Sequence, residues 1–200
     1  MAPLLPRLVV ASANPGKLRE LGALLAGLVG ELVPQSALGI PPAEETEATF
    51  EGNALLKARH AARLAHAAAL ADDSGLEVEA LGGRPGVYSA RFAGASASDE
   101  DNNRLLLASL EGVPEPRRAR YRCVIALVRG PDDPAPLLAR GSWEGRIALA
   151  PRGTGGFGYD PLFLVGEGPL TAAELGAEDK NRISHRARAL NELVAALRQR

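Results

Sequence analysis

Leu8-Val9-Val10-Ala11-Ser12-Ala13-Asn14-Pro15-Gly16-Lys17 decides how the chain is read. Four apolar residues running into Asn-Pro-Gly have the pattern of a buried strand entering a turn. From Lys17 onward, Leu18, Leu21, Leu24, Leu25 and Leu28 recur at helical spacing, and Gly27 and Gly30 mark the stop. A strand that turns directly into a helix points to an α/β fold. Backbone N–H groups at such a helix start attract anions, and Lys17 adds a point charge suited to phosphate. The G-x-x-x-x-G-K-[ST] spacing of a Walker A loop is absent. An ordinary N-P-G turn with a solvated lysine is the alternative reading of this segment.

Outward from this unit, Glu31-Leu32-Val33 reads as a second strand, 35–48 as a loop, and 49–68 as a long helix rich in Ala, Leu and Arg. Ala69 to Ala71 reads as a short strand ending on Asp72-Asp73-Ser74-Gly75. Leu76 to Ala80 reads as another strand, closed by the turn Gly82-Gly83-Arg84-Pro85-Gly86. Ser98-Asp99-Glu100-Asp101 carries the S-x-x-D pattern of a capping box ahead of a helix to Leu110. Arg120–Val128 and Ala135–Ala150 predict two or three strands, and 151–161 a glycine-rich loop. A last helix covers 184–198, with Ala187, Leu190, Leu193, Val194 and Leu197 on one face. The expected architecture is one α/β domain over 1–200, a mixed sheet with flanking helices and two lobes around a central substrate cleft. The elements do not alternate regularly enough for an all-parallel Rossmann or barrel fold.

Composition narrows the function. Two hundred residues with 46% hydrophobic and 24% charged side chains are a globular balance, not a disordered one. A formal net charge of −1 argues against a nucleic-acid binder working through a basic face. Cys123 is the single cysteine, so neither an internal disulfide nor a cysteine metal cluster is expected, and its setting in Cys-Val-Ile-Ala-Leu-Val predicts a buried, inert thiol. No apolar run approaches the roughly 20 residues of a membrane span, and no charged region precedes an N-terminal apolar segment. A soluble, cytoplasmic protein is the expectation. Only Lys17, Lys57 and Lys180 are lysines among the 23 basic residues, which makes each of them notable.

Three further segments carry candidate chemistry. Asp72 and Asp73, with Glu44 and Glu45 upstream, place carboxylates at what reads as a strand end. Such hard oxygen ligands suit Mg²⁺, which bridges to substrate phosphates; a solvated Asp-Asp turn is the alternative. Gly153-Thr154-Gly155-Gly156-Phe157-Gly158-Tyr159-Asp160 matches G-x-G-x-x-G, but the following Tyr-Asp-Pro does not open a helix comfortably, which argues against a dinucleotide fingerprint and the oxidoreductase it would imply. Its backbone could approach a flat or anionic ligand, with Phe157 and Tyr159 available for stacking; a plain loop is the alternative. Lys180, His185 and Arg186 cluster at the start of the last helix, where donors would converge on an anion or a base edge; a charged helix cap is the alternative. His60, His66 and His185 lack the spacing of a zinc site. Together the four segments fit a Mg²⁺-dependent enzyme acting on a nucleotide.

On these residues the chain resembles the inosine triphosphate pyrophosphatase family. The resemblance is carried by SANPGKLREL at 12–21, EET and TF within 44–50, NALLKARHAA at 53–62 and ADDSGLEVEALGGRPGVYSARF at 71–92. GTGGFGYDPLF at 153–163 and EDKNRISHRARAL at 178–190 complete it. It implies hydrolysis of ITP, dITP and XTP to the monophosphate and pyrophosphate, with Mg²⁺ as cofactor and a homodimer as the assembly. Carried over residue by residue, it implies that Ser12, Ala13, Asn14, Pro15, Gly16 and Lys17 cradle the triphosphate. Glu45 and Asp73 would hold the metal, with Asp73 the general base and Asp72 and Ser74 in support. Phe157, Gly158, Tyr159 and Asp160 would hold the base and sugar, and Lys180, His185 and Arg186 would contact the base edge and phosphates.

The chain departs from the family pattern in two places. Ser12-Ala13-Asn14 stands where T-G-N is common, which requires negative φ at Ala13. In place of E-E-T-G-x-T-F-x-E-N-A it has Glu44-Glu45-Thr46-Glu47-Ala48-Thr49-Phe50-Glu51-Gly52-Asn53-Ala54. Glycine has become Glu47, and the glutamate before Asn53 has become Gly52. A non-catalytic nucleotide sensor on the same scaffold is the rival reading, distinguished by turnover.

Overall fold

Strand β1, Leu5–Val10, runs through Asn14 into helix α1, Pro15–Leu25, so the opening segment folds as its pattern predicts. The computed structural model describes residues 3–199; Met1, Ala2 and Arg200 of the expected domain lie outside the described residues. Asn14 caps α1 by accepting the Lys17 N–H at 3.1 Å, and Pro15 takes the first helical position, where a missing N–H goes unfelt. Strand β2, Val29–Pro34, pairs parallel to β1. Helix α2, Phe50–Ala65, starts at Thr49, whose hydroxyl accepts the Gly52 N–H at 3.1 Å.

Strand β3 corrects the sequence reading. It runs unbroken from Ala69 to Val78, so Asp72-Asp73-Ser74-Gly75 is the middle of one strand, not a turn between two. Two adjacent buried carboxylates continue a strand only if other side chains neutralise them, and here distant cations do so, as described below.

Helix α3, Asp99–Ser109, carries the expected capping box, with Ser98 and Asp101 each bonding the other's backbone N–H. Strands β4, Arg118–Val128, and β5, Leu137–Ile147, are two rather than three. A short β6, Phe163–Val165, pairs antiparallel with β5; three residues are too few for a periodicity to show. A short helix that the sequence reading did not anticipate, α4, Ala177–Ile183, precedes the expected last helix, α5, His185–Arg198, the two separated where Ser184 adopts extended backbone.

The strands form one sheet in the order β2-β1-β3-β4-β5-β6. With β1–β2 and β1–β3 parallel and β5–β6 antiparallel, it is the expected mixed sheet. The chain divides into two compact units. Among the described residues the first comprises 3–73, 123–141 and 186–199, and its core gathers Leu8, Val10, Leu21, Leu70, Ile125 and Leu193. The second comprises 74–122 and 142–185, and its core gathers Leu76, Leu106, Tyr121, Trp143, Leu162 and Phe163. Burying each such side chain stabilises its unit by about 1.5–3 kcal/mol. Among the described residues, no helix is long and apolar enough to cross a membrane.

Candidate active site

Successive residues of a strand point to opposite faces, and the two aspartates of β3 accordingly meet different partners. Asp72 Oδ2 accepts from Arg186 Nη2 at 3.0 Å and Nε at 3.2 Å, and Lys17 Nζ lies 3.2 Å away. Arg186 Nη1 also donates to Glu20. The Arg186 side chain is 1% exposed and that of Asp72 0%, so the pair at the centre of this cluster is fully buried. Asp73 instead accepts from Lys57 Nζ at 2.7 Å and faces Asn53 Nδ2 at 3.5 Å. The same Lys57 ammonium donates to Glu45 Oε1 at 2.8 Å, which places one cation between two carboxylates.

These environments drive the two carboxyls apart. Burial would raise the pKa of Asp72, but Lys17 and Arg186 overcome it and hold the group well below the usual carboxylate range. At Asp73 burial wins over the opposing charges of Lys57 and Lys17, and the pKa is raised. Burial alone would discharge Lys57, yet Asp73, Asp72 and Glu45 outweigh it and keep the ammonium protonated. Asp72 is therefore a fixed countercharge and Asp73 the more basic carboxylate.

Beside this pair stands the turn of residues 12–17. Ser12 is buried and its hydroxyl accepts the Asn14 N–H at 3.2 Å, whereas Ala13, Asn14 and Pro15 are exposed at the start of the eleven-residue α1. Among the described residues, His66 is the one non-glycine residue with positive φ, so Ala13 satisfies the backbone requirement of its position. Glu45 and Asp73 fit a magnesium ion by the chemistry of their donors. Two hard carboxylates that already share one cation, the Lys57 ammonium, are a donor set of the kind magnesium takes, with its remaining ligands from phosphate and water. Among the described residues, no group of three His, Cys, Asp or Glu gathers to hold a metal without such help.

In the second unit, Asp160 organises the glycine-rich loop. Its Oδ2 accepts from the Phe157 N–H at 2.9 Å and from Lys180 Nζ at 2.6 Å, and Oδ1 lies 3.4 Å from the Tyr121 hydroxyl. Gly156 is required here: its φ is +74°, and a Cβ would lie 2.0 Å from Asp160 Oδ2. The Lys180 ammonium sits 4.9 Å from the centroid of the half-buried Phe157 ring. Tyr159, expected to offer a stacking face, is turned inward and donates to Ser89 O at 2.7 Å, which leaves Phe157 as the accessible ring. Gly158 is held on both sides, its N–H by Asp99 at 2.6 Å and its carbonyl by Asn103 at 2.8 Å. Ser74 follows Asp73 along β3 and is half-buried.

Lys180, His185 and Arg186, expected to converge on one anion or base edge, have separate partners instead. Lys180 is bound to Asp160, and Arg186 to Asp72 and Glu20. His185 stacks on Tyr121 with centroids 4.6 Å apart and 9° between planes. Buried cations need countercharges, and these two cations find theirs on different strands and loops. Sequence reading missed Lys57, Asn53, Glu20, Asp99 and Asn103 as site-building residues. One signal for Lys57 was present, the scarcity of lysine: the chain has three, and in the structure each is paired with an aspartate. Burial of Cys123 pushes its thiol up to about 12, as an inert core cysteine requires.

A model of the Ham1 family matches residues 8–196. The chain is 59% identical to a dITP/XTP pyrophosphatase of Methylococcus capsulatus, over 96% of each chain. It is 57% identical to one of Ralstonia nicotianae, again over 96% of each, and 51% identical to one of Escherichia coli O157:H7, over 96% of this chain and 98% of the relative. The solved structure of a HAM1 protein from Coxiella burnetii matches with a TM-score of 0.89 at 47% identity, covering 98% of this chain and all of that one. The Ham1 protein of Staphylococcus aureus matches with a TM-score of 0.83 at 42% identity, over 96% and 98% of the two chains. Sequence motifs, fold and extent of match agree: the chain belongs to the Ham1 family.

Proposed function

We propose that the protein hydrolyses ITP, dITP and XTP to the monophosphate and pyrophosphate, clearing these triphosphates from the nucleotide pool. The observation that carries this reading is the split between Asp72 and Asp73, one carboxylate locked as a countercharge and its neighbour left basic. The names of relatives more than half identical over nearly the whole chain support it.

Residues 12–17 bind the triphosphate, with backbone N–H groups at the start of α1 and the Lys17 ammonium facing its anionic oxygens. Glu20 holds Arg186, Arg186 holds Asp72, and Asp72 in turn holds Lys17, so Arg186 acts on the phosphates through Asp72 and Lys17. Glu45 and Asp73 hold Mg²⁺, which when bound supplies Lewis-acid stabilisation of phosphate charge. Asp73 takes a proton from the attacking water. The water oxygen bonds to the α-phosphorus, the bond to the bridging oxygen of the pyrophosphate breaks, and Lys17 meets the charge on the leaving group. Lys57 keeps Asp73 ionised and oriented, and Ser74 supports it from the next position.

Phe157 stacks on the base, and Gly158, Tyr159 and Asp160 shape the loop that receives base and sugar. Lys180, backed by Asp160 and the His185–Tyr121 stack, presents a donor to the 6-oxo group. A donor there would be left unpaired opposite the amino group of adenine, which selects inosine and xanthine over adenine. Residues 1–200 act as one functional domain, in the cytoplasm and without nucleic acid, and the assembly is a homodimer, which sedimentation equilibrium tests.

Purified protein incubated with Mg²⁺ and either ITP or ATP, with pyrophosphate and orthophosphate followed separately, tests the function. Pyrophosphate from ITP and little from ATP is expected. Orthophosphate release would reassign it as a terminal phosphatase, and no turnover with binding intact would leave a nucleotide sensor.

A further inference from the structure

Glu47 and Gly52 occupy the two positions at which the chain departs from the family pattern, and the structure shows that they belong together. A Cβ built on Gly52 would lie 2.7 Å from Glu47 Cβ and 2.9 Å from its Cγ, closer than side-chain carbons approach. The stem of Glu47 therefore lies on the bare backbone of the first turn of α2. Bulk and bareness have changed places relative to the family pattern, with glutamate at 47 and glycine at 52 in place of the reverse.

The consequence reaches the site through Asn53, which is fully buried. Its Oδ1 accepts the Glu47 N–H at 3.0 Å, and its Nδ2 donates to the Glu47 carbonyl at 3.1 Å, so the amide is clasped on both sides by one residue's backbone. The same Nδ2 faces Asp73 Oδ2 at 3.5 Å. A buried amide held by three partners has one orientation. Moving residue 47 would turn the amide and with it the group facing Asp73.

We propose that Glu47 and Gly52 form a sterically coupled pair that seats the peptide of residue 47 on the Asn53 side chain and so positions Asp73. Glu47 is a positioning residue, and the inference rests on the assignment of Asp73 as base. Its signature is a reversal of sign. Alanine is ordinarily better than glycine inside a helix, yet Gly52→Ala in the parent must push the Glu47 stem away.

The test compares the parent with G52A, E47G and the double variant E47G/G52A. Thermal midpoint, kcat and KM for ITP are measured, together with the side-chain amide signals of Asn53 in protein labelled with ¹⁵N-asparagine. G52A is expected to lower the midpoint in the parent and to raise it in the E47G background. It is also expected to shift the Asn53 signals and to lower kcat about tenfold at unchanged KM, the scale of outer-sphere partners; the double variant recovers both. The same sign of G52A in both backgrounds, or a double variant as slow as G52A, would overturn the proposal. Asp73→Asn is run alongside. If that variant kept full turnover, the base assignment would fail by itself, while the midpoints and Asn53 signals would still decide for or against the coupled pair.

Discussion

The two units of the chain use the same pair, lysine against buried aspartate, for different ends. In the first unit Lys17 and Lys57 face Asp72 and Asp73 within a network of four further charged or polar groups, Glu20 from α1, Asn53 from α2, Arg186 from α5 and Glu45 from the loop before α2. In the second, Lys180 faces Asp160 beneath a phenylalanine ring and beside the stack of Tyr121 and His185. Surrounding such a pair with more charge gives the polar environment that we propose receives phosphate and metal. Surrounding it with aromatic rings gives a flatter environment with one polar edge, which we propose receives the purine. The chemical role of each pair follows from its neighbours rather than from its own two residues.

The largest effect that would break this comparison is at Asp73. Asp73→Asn is expected to lower kcat by about 10²–10⁴, the usual contribution of a positioned base, with the thermal midpoint preserved. Near-normal kcat would leave the first unit without its assigned chemistry. Next is Arg186→Met, which strands Asp72 and Glu20 beside an apolar side chain. Breaking a buried pair this way costs about 3–5 kcal/mol, read as a lower denaturant midpoint. Arg186→Lys is expected to recover only part of that loss, because one ammonium cannot reproduce a guanidinium reaching two carboxylates.

A smaller effect sharpens the second unit. Phe157→Ala is expected to raise KM for ITP by the equivalent of about 1–3 kcal/mol, the value of base–aromatic stacking, with kcat little changed. A fall in kcat at constant KM would move Phe157 from binding to chemistry.

The pH dependence of stability separates the two aspartates. The folded pKa of Asp72 is depressed, so its contribution is complete above the unfolded value of about 4 and is lost as pH falls through the folded one. Denaturant unfolding between pH 6 and pH 2 is expected to show this loss in the parent and a shallower fall in Asp72→Asn. The smallest expected effect is at Cys123, where iodoacetamide at pH 8 should leave the folded protein unlabelled, since the thiol is buried and pushed up to about 12.

What the sequence revealed divides along the same physical line. The turn at 12–17 and the capping box at 98–101 were legible because their partners lie within three residues. The Asp72-Asp73 segment reads as a strand end because two adjacent carboxylates look unfit for a buried strand interior. The groups that make them fit lie 16 residues away for Lys57 and 114 for Arg186. Arg186 was expected beside Lys180 and His185 for the converse reason: neighbours in sequence need not share a countercharge. Lys57 stood out only as one of three lysines, a clue without a direction until Glu45 and Asp73 were seen on either side of its ammonium.

The central claim is that water attacks the α-phosphorus with Asp73 as the acceptor of its proton. Hydrolysis of ITP in ¹⁸O-labelled water, with both products analysed by mass spectrometry, tests the point of attack directly. The account predicts the label in inosine monophosphate and none in pyrophosphate. Label in the pyrophosphate would place the attack on the β-phosphorus and contradict it.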